Sequence, residues 1–316
     1  MKTFISKPLR TYLSYHTRLN NYVKISTVAV DYLYTSTGDT EQLSKKINDL
    51  ILNAGERWTP RIITNPSEDM ALVKNDINKS AVMWVYSSFD IFFKQIEGQL
   101  SVFFEKKEDQ EKKAEIEKND DEDETKDIKV IELYKKLNWN YDALKPILPI
   151  FKFYSVLRHC VGHNMGYPSA KLLAISNSKE FIEAIDNWKT KFEKRKISAP
   201  PVVTDKSIQL MPHHAILYSE TCVRIAQDIN AKLFDKFGLN YFMEKVRKEH
   251  LTDPSTLTLP VCSNYQRYLL FHSKNDYNIE FRNYEDVFKF YVNEEAKNED
   301  QQRYNTLRKI TIKAQV

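Results

Sequence analysis

Between Ser67 and Phe103 apolar side chains recur every three or four residues: Val73, Ile77, Ala81, Trp84, Phe92, Ile96, Leu100 and Phe103. A second stripe, Val82, Tyr86, Phe89 and Phe93, runs beside the first. An α-helix turns about 100° per residue, so the two stripes merge into one wide apolar arc. A helix that long and that broadly apolar must be covered on two sides. It therefore commits the chain to a helical bundle with this segment near its centre, alone or together with a subunit interface. Ser67 is the expected N-cap, with Glu68 and Asp69 complementing the dipole in the first turn.

The flanking sequence extends the helical pattern. Leu9–Tyr34 carries an imperfect apolar stripe. Asp39 and Gln42 form a capping-box pattern ahead of Leu43, Ile47, Leu50 and Ile51, and Gly55 ends that helix. Further helices are expected over Ile128–Leu137, Ile150–Gly162, from Ser178 through Phe192, and from Pro212 to Gly238. Ala199–Leu210 reads as a short β-hairpin around Thr204–Ser207. Thr256–Val261, Tyr265–Phe271, Ile279–Phe281 and Leu307–Ile312 read as strands, with a helix around Tyr284–Val292. The expected fold class is mainly α, with a hairpin insertion and a small α+β C-terminal appendage. The expected division is an N-terminal helical region over 1–66, a helical domain over 67–240 and the appendage over 241–316.

Composition narrows the classes of function. Six glycines in 316 residues leave little room for a phosphate-cradling loop, and neither a Walker A pattern nor a G-x-G-x-x-G pattern occurs. The charge is uneven. Lys106–Asp127 holds 11 acidic and 6 basic residues, a net of −5, so the rest of the +4 chain carries +9. That segment (106–127) reads as a solvated helical extension running into a flexible acidic loop, and the basic remainder suits a polyanionic partner. Cys160, Cys222 and Cys262 are odd in number and unpaired in spacing, as in reduced cytoplasmic proteins. The first residues lack the apolar core of a signal peptide, and no run approaches 18 apolar residues. A cytoplasmic protein without membrane contact is expected.

The chemistry concentrates in Phe153–Tyr167, where Arg158, His159 and His163 fall within six residues at the end of an apolar helix. Arginine stays charged at any relevant pH and suits phosphate; histidine exchanges protons near neutrality. Arg-to-His spacing alone is a weak signal. Among 12 arginines and 7 histidines, Arg10–His16 has five residues between and Arg267–His272 has four. Only Arg158 is followed directly by a polar histidine and closed by Gly162-His163-Asn164. Arg158 and His163 lie about 140° apart on an ideal helix, whereas His159 and His163 share a face. Either Gly162 releases His163 towards Arg158, or two copies of the segment meet across a dimer axis. The structural alternative is an arginine and a cap histidine serving only the end of their own helix. A zinc reading of His159-x-x-x-His163 lacks the glutamate of a zinc protease, has Cys160 in its place, and finds no third ligand nearby. His213-His214 is a second histidine pair at a helix start, where capping accounts for one ring.

The run Arg158-His-Cys-Val-Gly-His163 resembles the HEPN superfamily signature, an arginine followed by a polar residue and closed by a histidine. The resemblance spans roughly Ser67 to Gly238 by helix pattern and holds at superfamily level. It implies a HEPN-like helical bundle and a metal-independent endoribonuclease without cofactor, cutting RNA by attack of its own 2′-OH. By the same resemblance Arg158, His163 and His159 are the catalytic residues. It further implies a homodimer with a composite cleft and an RNA substrate such as tRNA or another structured RNA. A toxin or anti-phage or anti-plasmid effector role is expected with it, together with an antitoxin or regulatory partner. A non-catalytic HEPN-like module that binds RNA or protein is the alternative.

Overall fold

The structure is a computed structural model that describes residues 4–36, 39–55, 65–104, 125–191, 200–251 and 264–315. Among these residues it is helical, with no strand. In chain order the helices are α1 (Lys7–Thr35), α2 (Thr40–Asn53), α3 (Pro66–Phe104), α4 (Thr125–Lys136), α5 (Leu148–His163), α6 (Ala170–Ser176), α7 (Lys179–Lys191), α8 (Pro212–His250) and α9 (Tyr265–Tyr277), then the 3-10 helix η1 (Tyr284–Phe290) and α10 (Glu294–Gln315). The residues group into two compact units. A core unit comprises Tyr12–Ile225, and a terminal unit combines Met1–Thr11 with Ala226–Val316.

Local signals account for most helix ends. Asp39 caps α2 by accepting from the Gln42 backbone N–H at 2.8 Å. The α3 cap is Asn65 rather than Ser67: its side chain accepts from the Glu68 N–H at 3.3 Å and donates to Glu68 Oε2 at 3.0 Å. Pro66 follows as the first helical residue, where its missing N–H costs nothing. Ser178 Oγ accepts from Phe181 N–H at 3.3 Å, as expected for α7. Gly238 breaks α8 with φ 71° and ψ 174°, a conformation that a Cβ disfavours.

In the core unit α5 packs against α3, α4, α6 and α7. Phe151, Phe153, Tyr154 and Leu157 of α5 are fully buried. Phe153 stacks on Phe181 of α7 at 4.5 Å, and Tyr154 stacks on Tyr218 of α8 at 5.1 Å. The wide arc of α3 is covered from within the unit. Phe89 meets Phe151 at 5.3 Å, Tyr12 of α1 meets Phe92 at 5.5 Å, and Ala81, Val82, Val85, Phe93 and Ile96 are buried as well. The bundle-centre reading of this helix therefore suffices for most of its apolar surface.

The hydroxyl of Tyr154 is buried without a hydrogen-bond partner among the described residues, and burial pushes its pKa far above the usual phenol range. An unpaired buried hydroxyl costs about 1–3 kcal/mol. Tyr154→Phe is thus expected to raise Tm by about 2–4 °C per kcal/mol recovered. A lowered Tm in a thermal melt would show that the hydroxyl is bonded.

The described segment 200–211 has no regular secondary structure, with a bend at Asp205–Lys206, and does not form the hairpin expected over Ala199–Leu210. Side chains of α3 take the place of a second strand. Asn75 Oδ1 accepts from Leu210 N–H at 2.7 Å, Asn75 Nδ2 donates to Ile208 O at 3.4 Å, and Asn78 Nδ2 donates to Leu210 O at 2.8 Å. Both asparagines are buried. Asn75→Ala would strand the Leu210 N–H and is expected to cost about 1–3 kcal/mol. Urea denaturation checks this, and an unchanged midpoint would mean that the segment does not depend on the pairing.

The terminal unit gathers Phe4, Phe234 and Phe242, with Phe4 4.6 Å from Phe234 and 4.5 Å from Phe242. Its described residues form no strand where strands were expected. Tyr265–Phe271 belongs to α9, because Asn264 accepts from Arg267 N–H at 2.9 Å and the buried Tyr265, Tyr268, Leu269 and His272 follow helical spacing. Leu307–Ile312 lies in α10 despite its β-branched residues, and Ile279–Phe281 forms no strand. The expected strand at 256–261 and nearly all of the acidic segment 106–127 lie outside the described residues. Among the described residues no helix is long and apolar enough to cross a membrane.

Candidate functional site

The motif helix α5 opens on Leu148-Pro149 and runs two residues further at its start than the sequence pattern implied. At its other end Gly162 does not unwind it. The helix continues to His163, and the turn comes at Asn164–Gly166. Asn164 N–H and Gly166 N–H both donate to Cys160 O, at 3.0 and 2.9 Å. Met165 (φ 53°) and Gly166 (φ 82°) are left-handed. Gly162 serves packing instead: a Cβ there would lie 3.3 Å from Met83 Cε of α3. The first route to a site, a histidine swung out at Gly162, is therefore not the one the backbone takes.

The three motif side chains separate accordingly. His159 and His163 lie on one face with ring centroids 4.7 Å apart. His159 is half-buried and His163 is exposed. Arg158 points inward, only 8% exposed, with its guanidinium carbon 3.7 Å from the centroid of the Tyr86 ring on α3. Stacking on an aromatic face holds the cation with less loss than an apolar wall would impose. Burial pushes the nearby Tyr218 phenol well above its usual range, and the Arg158 charge offsets only a small part of that rise. A ligand could reach Arg158 only through the small part of its surface left open.

Cys160, between the two histidines, is structural. Its sulfur accepts from Ser169 N–H at 3.3 Å, and Ser169 Oγ in turn caps α6 by accepting from Leu172 N–H at 3.2 Å. Among the described residues no three His, Cys, Asp or Glu side chains converge as a metal site would require. His214 Nδ1 accepts from Met211 N–H at 2.9 Å, the capping role expected for one ring of the His213-His214 pair.

The other Arg–His placements have structural roles. Arg10 donates to Lys274 O at 3.1 Å. His16 bonds Ser219 Oγ at 2.7 Å and Asn20 Nδ2 at 3.2 Å, and burial lowers its pKa. His272 is buried beside Asp276 at 3.1 Å. Of the three histidines in such a spacing, His163 is the one that faces solvent.

Two neighbours of the motif escaped the sequence reading. Tyr86, counted there only as part of an apolar stripe, is the ring under Arg158. Lys79 of α3 lies over the turn after α5: a Cβ on Gly166 would sit 2.9 Å from Lys79 Nζ and 3.5 Å from Ser207 Oγ. Ile208 N–H donates to Gly166 O at 2.8 Å and ties the segment 200–211 to the same turn. Neither Tyr86 nor Lys79 stood out in the sequence: the one sat in that stripe, and α3 carries several other charged residues, Lys74 and Asp76 among them. No protein-family model, curated protein or solved structure matches the chain.

Proposed function

We propose that the protein is a HEPN-like, metal-independent endoribonuclease acting through the end of α5. The observation that carries the reading is the pair of imidazoles, His159 and His163, side by side at 4.7 Å on a helix end where His163 is open to solvent. In the proposed reaction the RNA 2′-OH attacks the adjacent phosphorus and the 5′-oxygen leaves. The products are a 2′,3′-cyclic phosphate and a 5′-OH end. His163 takes or gives the proton, and His159 orients the phosphate or relays a proton to His163. Arg158, fixed on Tyr86, supplies positive charge to the developing oxyanion.

The geometry of the reaction favours a two-fold dimer. Attacking and leaving oxygens lie roughly in line on opposite sides of phosphorus. Two imidazoles side by side on one helix face meet the same side, so one chain furnishes only the base or only the acid. A second copy, approaching antiparallel, would supply the other. A role as a toxin or as an effector against phages or plasmids, held in check by an antitoxin or regulatory partner, follows from the superfamily resemblance.

A second reading draws on the burial of Arg158: with the arginine structural, the unit would be a non-catalytic RNA- or protein-binding module. Incubating the purified full-length chain with total RNA in the presence of EDTA separates the two. New 5′-OH ends support the nuclease, and binding without cleavage supports the module.

A further inference from the structure

Resting on the ribonuclease reading, we infer that the turn Asn164–Tyr167 and Lys79 form a binding subsite for the single-stranded nucleotide next to the scissile bond. Lys79 takes its phosphate and Tyr167 stacks on its base. Two features of the structure carry this.

The turn is tied by three backbone hydrogen bonds. It is closed by Gly166 N–H to Cys160 O, by Tyr167 N–H to Asn164 O at 2.9 Å, and by Ile208 N–H to Gly166 O. On this frame Tyr167 stands 56% exposed and Met165 86% exposed, four and two residues beyond His163. Large apolar side chains held out to water on a fixed turn lose little entropy when a flat partner covers them. Every nucleobase offers such a face.

The cation is built in rather than incidental. Lys79 is only 17% exposed along its side chain, yet its ammonium ends over Gly166. Its carboxylate neighbour is Asp76 at 3.8 Å, itself 75% exposed. An ion pair that long and that wet is weak, so a phosphate can displace it. Gly166 is the residue this crossing requires. Its φ of 82° disfavours a Cβ, and one placed there would sit 2.9 Å from Nζ, so that the end of the lysine would have to move.

The test uses the full chain and a short, fluorescein-labelled single-stranded oligoadenylate with every 2′-hydroxyl methylated, which binds but cannot be cut. Affinity is read by anisotropy at several salt concentrations, and cleavage of the unmethylated strand is read in parallel. Tyr167→Ala is expected to weaken binding by roughly 5- to 50-fold, with Tyr167→Phe close to the parent, because the ring and not the hydroxyl stacks. Lys79→Ala is expected to weaken binding and to lower the slope of log affinity against log salt by about one. Both changes should appear in KM more than in kcat. Thermal melts of each variant separate lost contact from lost fold, and Lys79→Arg should retain the parent's salt slope. If the parent cleaves RNA while Tyr167→Ala and Lys79→Ala bind as it does, the subsite is overturned and the nuclease stands. If the parent neither binds nor cleaves the oligoadenylate or total RNA, both fall.

Discussion

Replacing His163 by alanine is expected to slow RNA cleavage by a factor of about 10² to 10⁴, the usual loss when a positioned proton carrier is removed. Folding should survive, because His163 is exposed at the last position of α5 and the buried face of that helix lies before it. Its ring lies beside that of His159, itself half-buried, so little core packing is lost. The assay is appearance of 2′,3′-cyclic phosphate ends on total RNA, with a thermal melt alongside. Near-full activity in a folded variant would remove His163 from the reaction. A variant that melts many degrees early would instead assign it to holding the helix end.

A mixture of two inactive variants is expected to regain what neither has alone. Arg158→Met keeps an unbranched apolar chain against Tyr86 while removing the charge, and loss of a charge stabiliser of this kind costs about 10² to 10³ in rate. His163→Ala removes the proton carrier. If the site is shared across a two-fold axis, a heterodimer carries an intact arginine in one chain and an intact histidine in the other. Co-folding the two should restore a fraction of the parent rate, well above either variant by itself. A parent that sediments as a monomer at micromolar concentration and still cleaves RNA would rule out the shared site. The contact would not centre on the apolar arc of α3, since Phe89, Phe92, Phe93 and Ile96 are already buried within the unit. A two-fold contact built on the helix end that carries His159 and His163 fits the exposure of that end better.

The features legible in the sequence were those decided within a turn or two of chain. Helix periodicity placed α1, α2, α3, α5, α7 and the start of α8, because burying a stripe needs only the 3.6-residue repeat. Asp39, Ser178 and Gly238 marked ends because a cap or a left-handed residue acts on amides a few positions away. The side-by-side placement of His159 and His163 followed from a spacing of four on an unbroken helix. The errors in the C-terminal region have the same origin. Six- or seven-residue apolar runs fit strand or helix equally well, and the Asn264 cap that decides Tyr265–Phe271 lies just before the run itself.

The sequence by itself determined a helical chain, its main helices, and a motif whose two histidines share a face. Only the tertiary structure decided what surrounds that motif. Arg158 turns inward because Tyr86, on another helix, offers its ring. The segment 200–211 forms no hairpin, and Asn75 holds its Leu210 from 135 residues away. Lys79 meets the turn at Gly166 because α3 and α5 pack side by side. Such pairings depend on which distant faces bury one another, and that choice is made by the free energy of the whole packed core rather than by any stretch of sequence read alone.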